Sequence, residues 1–335
     1  MRKAKKKDSF GYISQIIRAH RKSCVLFSGF ELGILERITK QYKSAQKISD
    51  ELHISIEGLN RLLSVLCAFE IVKKKQEMYC LSDNYKDMFD SDSEKYIGDL
   101  IRHEIHLQKR WLQLSRSVKS GLPIKKTDEI QTAEDTSRFI NAMANIGQRT
   151  APMILDKIKF KGDEHILDLG GGPGRYIREL CKKYPRIQVT LFEKPETVKA
   201  AKKILKKLSF NKRMHFIQGD FFTDNLGKGY DVILFSNVVH IYGFDEIRLI
   251  LNKCYQALNL SGRILIKDYF LNEDKTGPEF ATIFSMHMFL STDHGRCYSE
   301  AEFYELLKQT GFKKGKKTTL TESSLILEGI KKAEH

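Results

Sequence analysis

The chain has 335 residues, 41% hydrophobic and 30% charged, with 6 prolines. That length suits two domains, and the composition excludes wholesale disorder. No run approaches the roughly 18 consecutive apolar residues of a membrane span, and no apolar signal core follows the basic start "MRKAKKKDSF", so neither a membrane span nor secretion is expected. The net charge of +15 is spread over short clusters: Lys5–Lys7, Lys73–Lys75, Lys202–Lys203, Lys206–Lys207 and Lys313–Lys317. Such scatter, without interleaved aromatics, reads as a solvated surface, and no specific nucleic-acid partner is expected. The cysteines at 24, 67, 80, 181, 254 and 297 form no CxxC pair. This pattern suits reduced thiols in the cytoplasm and offers neither a disulfide framework nor a zinc site.

Residues 1–9 read as a basic tail. Over 10–95, "FELGILERITK" has apolar residues at helical spacing. The stretch from "SAQKISDEL" to "EMYCLS" predicts a short helix, a turn, a longer helix and a small ribbon. That is the order of a winged helix-turn-helix. A DNA reader would present basic residues on the second helix. "IEGLNRLLSVLCAFE" is mostly apolar with Arg61 as its one basic residue, so a packing or dimerisation role is favoured.

Residues 96–160 read as a helical connector. Pro152 is expected to kink its second long helix or to sit near that helix's start. His103 and His106 have the i, i+3 spacing of a metal pair, but only Glu104 accompanies them, and the plain reading is one helix face. No metal site is expected.

From 161 to 332 short apolar runs alternate with amphipathic stretches. "HILDL", "IQVTLFE", "MHFIQG", "YDVILFS" and "RILIKDYF" are strand-like; "RYIRELCKKY", "PETVKAAKKILKKL" and "FDEIRLILNKCYQAL" are helix-like. The alternation predicts an α/β fold, a Rossmann-like and mostly parallel sheet covered by helices on both faces. "KKTTL" and "SSLILEGI" would add an antiparallel edge hairpin, for seven strands in all.

The first strand ends at Leu169 and runs into "GGGPG". In such sheets ligands bind at the carboxyl ends of the strands. A dinucleotide loop would read G-x-G-x-x-G, and a phosphate loop would carry Lys-Ser/Thr. Neither is present; the pattern is D-x-G-x-G-x-G from Asp168 through Gly170 and Gly172 to Gly174. It resembles motif I of class I S-adenosylmethionine methyltransferases. That resemblance implies that Asp168 helps to bind the cofactor's ammonium and that the glycines lie against its methionine portion. Glu193, ending the second strand, would accept hydrogen bonds from the ribose. In "GDFF", Asp220 would meet the adenine amino group and Phe221 would stack on the ring. The plainer alternative is that Glu193 and Asp220 only cap the helices that follow.

His240 falls just past the fourth strand, and Asp268 lies at the same height on the fifth. A histidine beside a carboxylate forms an acid–base pair, one ring nitrogen moving a proton while the other is held. With these residues placed, the whole chain resembles the plant-type and bacterial small-molecule O-methyltransferases, which include caffeate, hydroxyindole and polyketide enzymes. The resemblance implies an N-terminal dimerisation domain, a homodimer, S-adenosylmethionine as cofactor without a metal, His240 as general base and Asp268 as its flanking carboxylate. It departs from the plant pattern at Ile241, at Ser236 (a cofactor-binding position where plant members have a Lys near the cofactor's carboxylate) and at Cys297 (a second flanking carboxylate). Trp111, Phe139, Met143, Met286 and His287 would line an apolar acceptor pocket, or else belong to ordinary core. Transfer to carbon or nitrogen, a non-methylating use of the scaffold, and a cofactor-sensing DNA-binding regulator are the alternatives.

Overall fold

The computed structural model describes residues 8–124, 133–206, 208 and 211–332. Lys5–Lys7 and Lys207 lie outside the described residues. The chain divides into two compact units, Met1–Ile105 and His106–His335.

The first unit contains α1 (Ser9–Arg18), α2 (His20–Glu31), α3 (Ile34–Arg37), β1 (Lys43–Ser44), α4 (Ala45–Leu52), α5 (Ile56–Ala68), β2 (Val72–Lys75), β3 (Met78–Leu81) and α6 (Lys86–Phe89). Next comes α7 (Gly98–Trp111), which carries the chain into the second unit. "FELGILERITK" is not one helix: Gly33, at φ +71, separates α2 from α3. Only glycine takes this left-handed conformation without strain. The hydroxyls of Ser44 and Ser55 start α4 and α5 by accepting the N–H groups of Lys47 and Gly58. The helix–turn–helix–ribbon order read from sequence is present, and β1 adds a third antiparallel strand in the order β1-β3-β2. Ile34, Leu35, Ile48, Leu63 and Leu66 are fully buried at its core.

The second unit continues with α8 (Leu114–Ser120), α9 (Ala133–Leu155), β4 (His165–Leu169), α10 (Arg175–Lys183), β5 (Gln188–Glu193), α11 (Pro195–Leu205), β6 (Met214–Gln218) and β7 (Tyr230–Ser236). It ends with α12 (Phe244–Ala257), β8 (Leu258–Leu271), α13 (Glu279–Ser291), β9 (Tyr298–Ser299), α14 (Glu300–Gln309), β10 (Lys313–Thr319) and β11 (Ser324–Ile330). Pro152 neither starts α9 nor ends it. It lies in the last turn, where its carbonyl still accepts the N–H of Asp156 at 3.0 Å. Only the bond that its own missing N–H would have made is lost.

Seven strands run in the order β10-β11-β8-β7-β4-β5-β6, and β9 pairs with β8 beside them. β6, β5, β4, β7 and β8 pair in parallel; β10 and β11 form the antiparallel edge. β4, β5, β7 and the middle of β8 are buried on both sides, which explains their unbroken apolar runs, whereas the edge strand β6 is only partly buried. Leu167, Leu169, Ile233, Phe235, Ile264 and Ile266 pack on one face with residues of α12 and α14. Ile166, Val189, Leu191, Val232, Leu234 and Leu265 pack on the other with residues of α9, α10 and α11. The chain leaves β4 towards β5 and returns to β7 on its other side. The sheet therefore changes direction between β4 and β7, where an open α/β sheet leaves a crevice at the strand ends. Among the described residues no helix is long and apolar enough to cross a membrane.

Candidate active site

The loop after β4 and the exit of β7 flank that crevice. Gly170 donates its N–H to the Phe192 carbonyl at 3.0 Å, and Gly174 closes the turn onto the Gly171 carbonyl at 3.1 Å before α10 begins. Gly172 has φ +56, and its N–H donates to Glu193 Oε1 at 3.1 Å. Glu193 Oε2 accepts the N–H of Lys194 at 2.8 Å. Burial raises the Glu193 carboxyl above its ordinary range, against the pull of these two N–H groups.

Asp168 lies beneath this loop with no exposed surface, and neither carboxylate oxygen has a hydrogen-bond partner among the described residues. Burial, reinforced by the charge of Glu193, pushes its pKa up to about 8. A β-carbon added at Gly171 would stand 2.1 Å from Asp168 Oδ2, so only a glycine fits over this carboxyl. A buried unpaired carboxyl is costly. Its presence beneath a bare backbone loop marks a place for a cationic or hydrogen-bonding group.

Asp220 and Phe221 follow β6. Asp220 Oδ1 accepts the N–H of Phe222 at 2.8 Å, while its own N–H donates to Asp224 at 2.8 Å. Phe221 is nearly buried, with ring centroids 5.8 Å from Phe192 and 6.2 Å from Phe235. Both residues are thus fixed by their own turn and core. Ser236, the last residue of β7, donates its hydroxyl to Tyr176 Oη at 3.0 Å.

On the β8 side, His240 Nδ1 stands 2.8 Å from Asp268 Oδ1 and 3.0 Å from Oδ2. The Asp268 carboxylate also accepts the backbone N–H groups of Tyr269 at 2.8 Å and His240 at 3.4 Å. With N–H donors on every side, the carboxylate is the acceptor, and the network assigns the ring proton to Nδ1. The lone pair is then on Nε2. Cys297, at the position read as a second flanking carboxylate, is buried, and the nearby Asp268 charge adds to the burial that raises its thiol pKa.

The Phe284 ring meets His240 edge-on at 4.8 Å, and Tyr269 packs on Phe284 at 4.9 Å. Trp111 stacks on His287 at 6.0 Å, and His287 lies 6.0 Å from Phe284. Trp111 and His287 therefore join one aromatic wall that reaches His240. The other expected pocket residues are spread over two helices. Phe139 and Met286 are exposed, and Met143 is half-buried one turn beyond Phe139.

Residue-type reasoning missed Phe284, Tyr269 and Lys267. Lys267 is buried on β8, with Nζ donating to Asn237 Oδ1 at 2.6 Å and standing 4.4 Å from the centre of the Tyr269 ring. Burial lowers its pKa to about 8, against the opposing pull of Asp268. A lysine in the apolar run "RILIKDYF" was the signal available in the sequence. Among the described residues no cluster of three or more His, Cys, Asp or Glu could hold a metal ion.

A Rossmann-like sheet with a glycine loop at its switch point and a His–Asp pair on the adjoining strands defines a group-transfer site of the class I methyltransferase type. The family model for the O-methyltransferase domain matches residues 118–313, and that for the O-methyltransferase dimerisation domain matches residues 14–89. The chain belongs to the O-methyltransferase family. Among curated proteins it is 24% identical over 296 residues to 3-hydroxy-5-methyl-1-naphthoate 3-O-methyltransferase of Streptomyces sahachiroi, covering 87% of this chain and 86% of that protein. It is 25% identical over 311 residues to acetylserotonin O-methyltransferase of Gallus gallus, covering 87% and 88%. The crystal structure of human N-acetylserotonin methyltransferase in complex with SAM shares the fold with a TM-score of 0.86, at 20% identity, over 98% of this chain and 99% of that one.

Proposed function

We propose that this enzyme methylates a hydroxyl of a small aromatic or polycyclic acceptor, with His240 as the general base. The observation that carries this reading is the hold of Asp268 on His240 Nδ1, which leaves Nε2 as the basic atom. S-adenosylmethionine is the methyl donor; when bound it supplies an electrophilic methyl group on a sulfonium. The residues fit it. Asp168 is a buried carboxyl that has no hydrogen-bond partner among the described residues and suits an ammonium, the glycine loop lets backbone approach a ligand, and Glu193 ends the adjacent strand where a ribose can be held.

In the proposed reaction the acceptor hydroxyl would meet His240 Nε2, which would take its proton; the bound donor would supply the methyl group, its C–S bond breaking as the C–O bond forms and neutral S-adenosylhomocysteine leaving. Asp268 keeps the ring in one tautomer and stabilises the imidazolium that forms. The aromatic wall of Phe284, Tyr269, His287 and Trp111 holds a flat acceptor and excludes water. The His–Asp pair favours oxygen over nitrogen as acceptor, since a neutral amine needs no base before attack.

The dimerisation domain supports a homodimer formed through the N-terminal unit. The scattered free cysteines suit a cytoplasmic enzyme. To test the reaction class, the protein is incubated with methyl-labelled S-adenosylmethionine and a fractionated small-molecule extract. A methyl signal at the chemical shift of an ether supports oxygen transfer; a carbon-bound or nitrogen-bound methyl contradicts it.

A further inference from the structure

Two ionisable groups of opposite sign, Asp168 and Lys267, are buried on one face of the sheet, and among the described residues neither has an ion-pair partner. Asp168 has no exposed surface and no hydrogen-bond partner among the described residues. Lys267 is 4% exposed, and among the described residues its amine bonds only a neutral amide oxygen and an aromatic face. Its sequence neighbour Asp268 points to the opposite face and is engaged by His240.

Strand register puts the two on the same side. Asp168 pairs with Leu234, Leu234 with Leu265, and Ser236 with Lys267. Partners in register share a face, as do residues two apart on a strand. β7 alone separates β4 from β8, so the two strands run about 10 Å apart. That is too far for a direct ion pair and close enough for two ends of one ligand. Between them stand the neutral hydroxyls of Ser236 and Tyr176. Lys267 also lies at the carboxyl rim, since Asn237, which receives its amine, is the first residue after β7 and donates its N–H to the Lys267 carbonyl at 2.8 Å.

A buried charge persists when something pairs with it. A zwitterion pairs with both: its ammonium meets Asp168, and its carboxylate meets a cation on the other side. We propose that Lys267, reaching from β8 beside Ser236, binds the carboxylate of the methyl donor's amino-acid end. Ser236 has no charge to offer there, and the cation comes from the neighbouring strand. The inference rests on S-adenosylmethionine being the methyl donor.

The test measures binding by calorimetry, without turnover. The probes are S-adenosylhomocysteine and its decarboxylated analogue, which keeps the amine and lacks the carboxylate. The wild type is expected to prefer the carboxylated ligand by about tenfold or more, the usual strength of a hydrogen bond between charged groups. Lys267→Met is expected to weaken S-adenosylhomocysteine about 10- to 100-fold and to leave the analogue's affinity unchanged, so that the preference collapses. Equal binding of the two ligands by the wild type overturns the inference without any variant. So does a Lys267→Met protein that keeps the preference, or one that loses both ligands alike, which would make Lys267 a structural clamp. An unchanged preference joined to a raised KM for carboxylated acceptors would assign the amine to the acceptor and overturn it as well. A wild type that binds neither ligand removes the donor reading itself, and the inference falls with it.

Discussion

His240, just past the end of β7, and Asp268, within β8 and 28 residues further on, meet through both carboxylate oxygens on a single ring nitrogen. The same carboxylate takes the backbone N–H of Tyr269, so its orientation is set by the strand. Asp268→Asn would place an NH2 donor among donors and free the ring to change tautomer. Turnover is expected to fall about 100-fold or more, while affinity for S-adenosylhomocysteine stays within about twofold, well under the RT ln 10 that marks a lost interaction. A fall in affinity matching the fall in rate would make the pair part of the cofactor site instead.

Asp168 links cofactor binding to pH. Its folded pKa of about 8 stands above the ordinary 3.8. The native state therefore holds an extra proton between those values. The stability this confers is complete below about pH 4 and is lost as pH rises through about 8. The melting temperature of the ligand-free protein is expected to drop as pH rises from about 6 to about 9, and Asp168→Asn should flatten that slope. An ammonium arriving beside the carboxyl favours its charged form. Calorimetry near neutral pH in buffers of different ionisation enthalpy should then report release of about one proton per ligand. Buffer-independent heats would contradict this assignment.

Gly171→Ala tests the close approach of the loop to that carboxyl. The new methyl would stand 2.1 Å from Asp168 Oδ2, and the Asp168 side chain is buried on all sides. The strain is expected to destabilise the protein by about 1–3 kcal/mol and to weaken S-adenosylhomocysteine at least about tenfold, as a displaced charge-assisted contact would. Denaturant melts and calorimetry read the two effects separately. A variant with native affinity would show that the loop yields without disturbing Asp168.

Helix α1 bears on the proposed homodimer. It has no buried residue, and Ile13, Ile16 and Ile17 are 52%, 56% and 63% exposed. An apolar stripe left open on a helix that enters the dimerisation-domain match is the natural seat of a second copy. Ile16→Glu with Ile17→Glu is expected to weaken self-association about tenfold or more, as read by sedimentation equilibrium. A dimer of unchanged affinity would remove α1 from the interface.

The sheet was legible because parallel strands buried on both faces leave unbroken apolar runs, and "HILDL" and "YDVILFS" lie where those runs fall. The glycine loop and the His240–Asp268 pair were legible for a related reason: strand ends fix where the side chains after them stand. What failed to show was set by tertiary contact. The break at Gly33 depends on a left-handed turn that apolar spacing does not reveal. Pro152 sits in a final helical turn, at a distance from the helix start that the proline alone does not encode. The aromatic wall joins Phe284, Tyr269 and Trp111 from α13, β8 and α7, elements that no short-range spacing connects. Lys267 becomes informative only once register places it beside Ser236 and on the face of Asp168.

The most direct test of the central claim is a single-turnover measurement with methyl-labelled S-adenosylmethionine and an acceptor recovered from the extract, comparing wild type with His240→Ala at saturating cofactor. The expected result is a methyl ether formed by the wild type, a rate about 100- to 10,000-fold lower in the variant, and unchanged cofactor affinity. An ether formed at the wild-type rate by His240→Ala would contradict the assignment of His240 as the base.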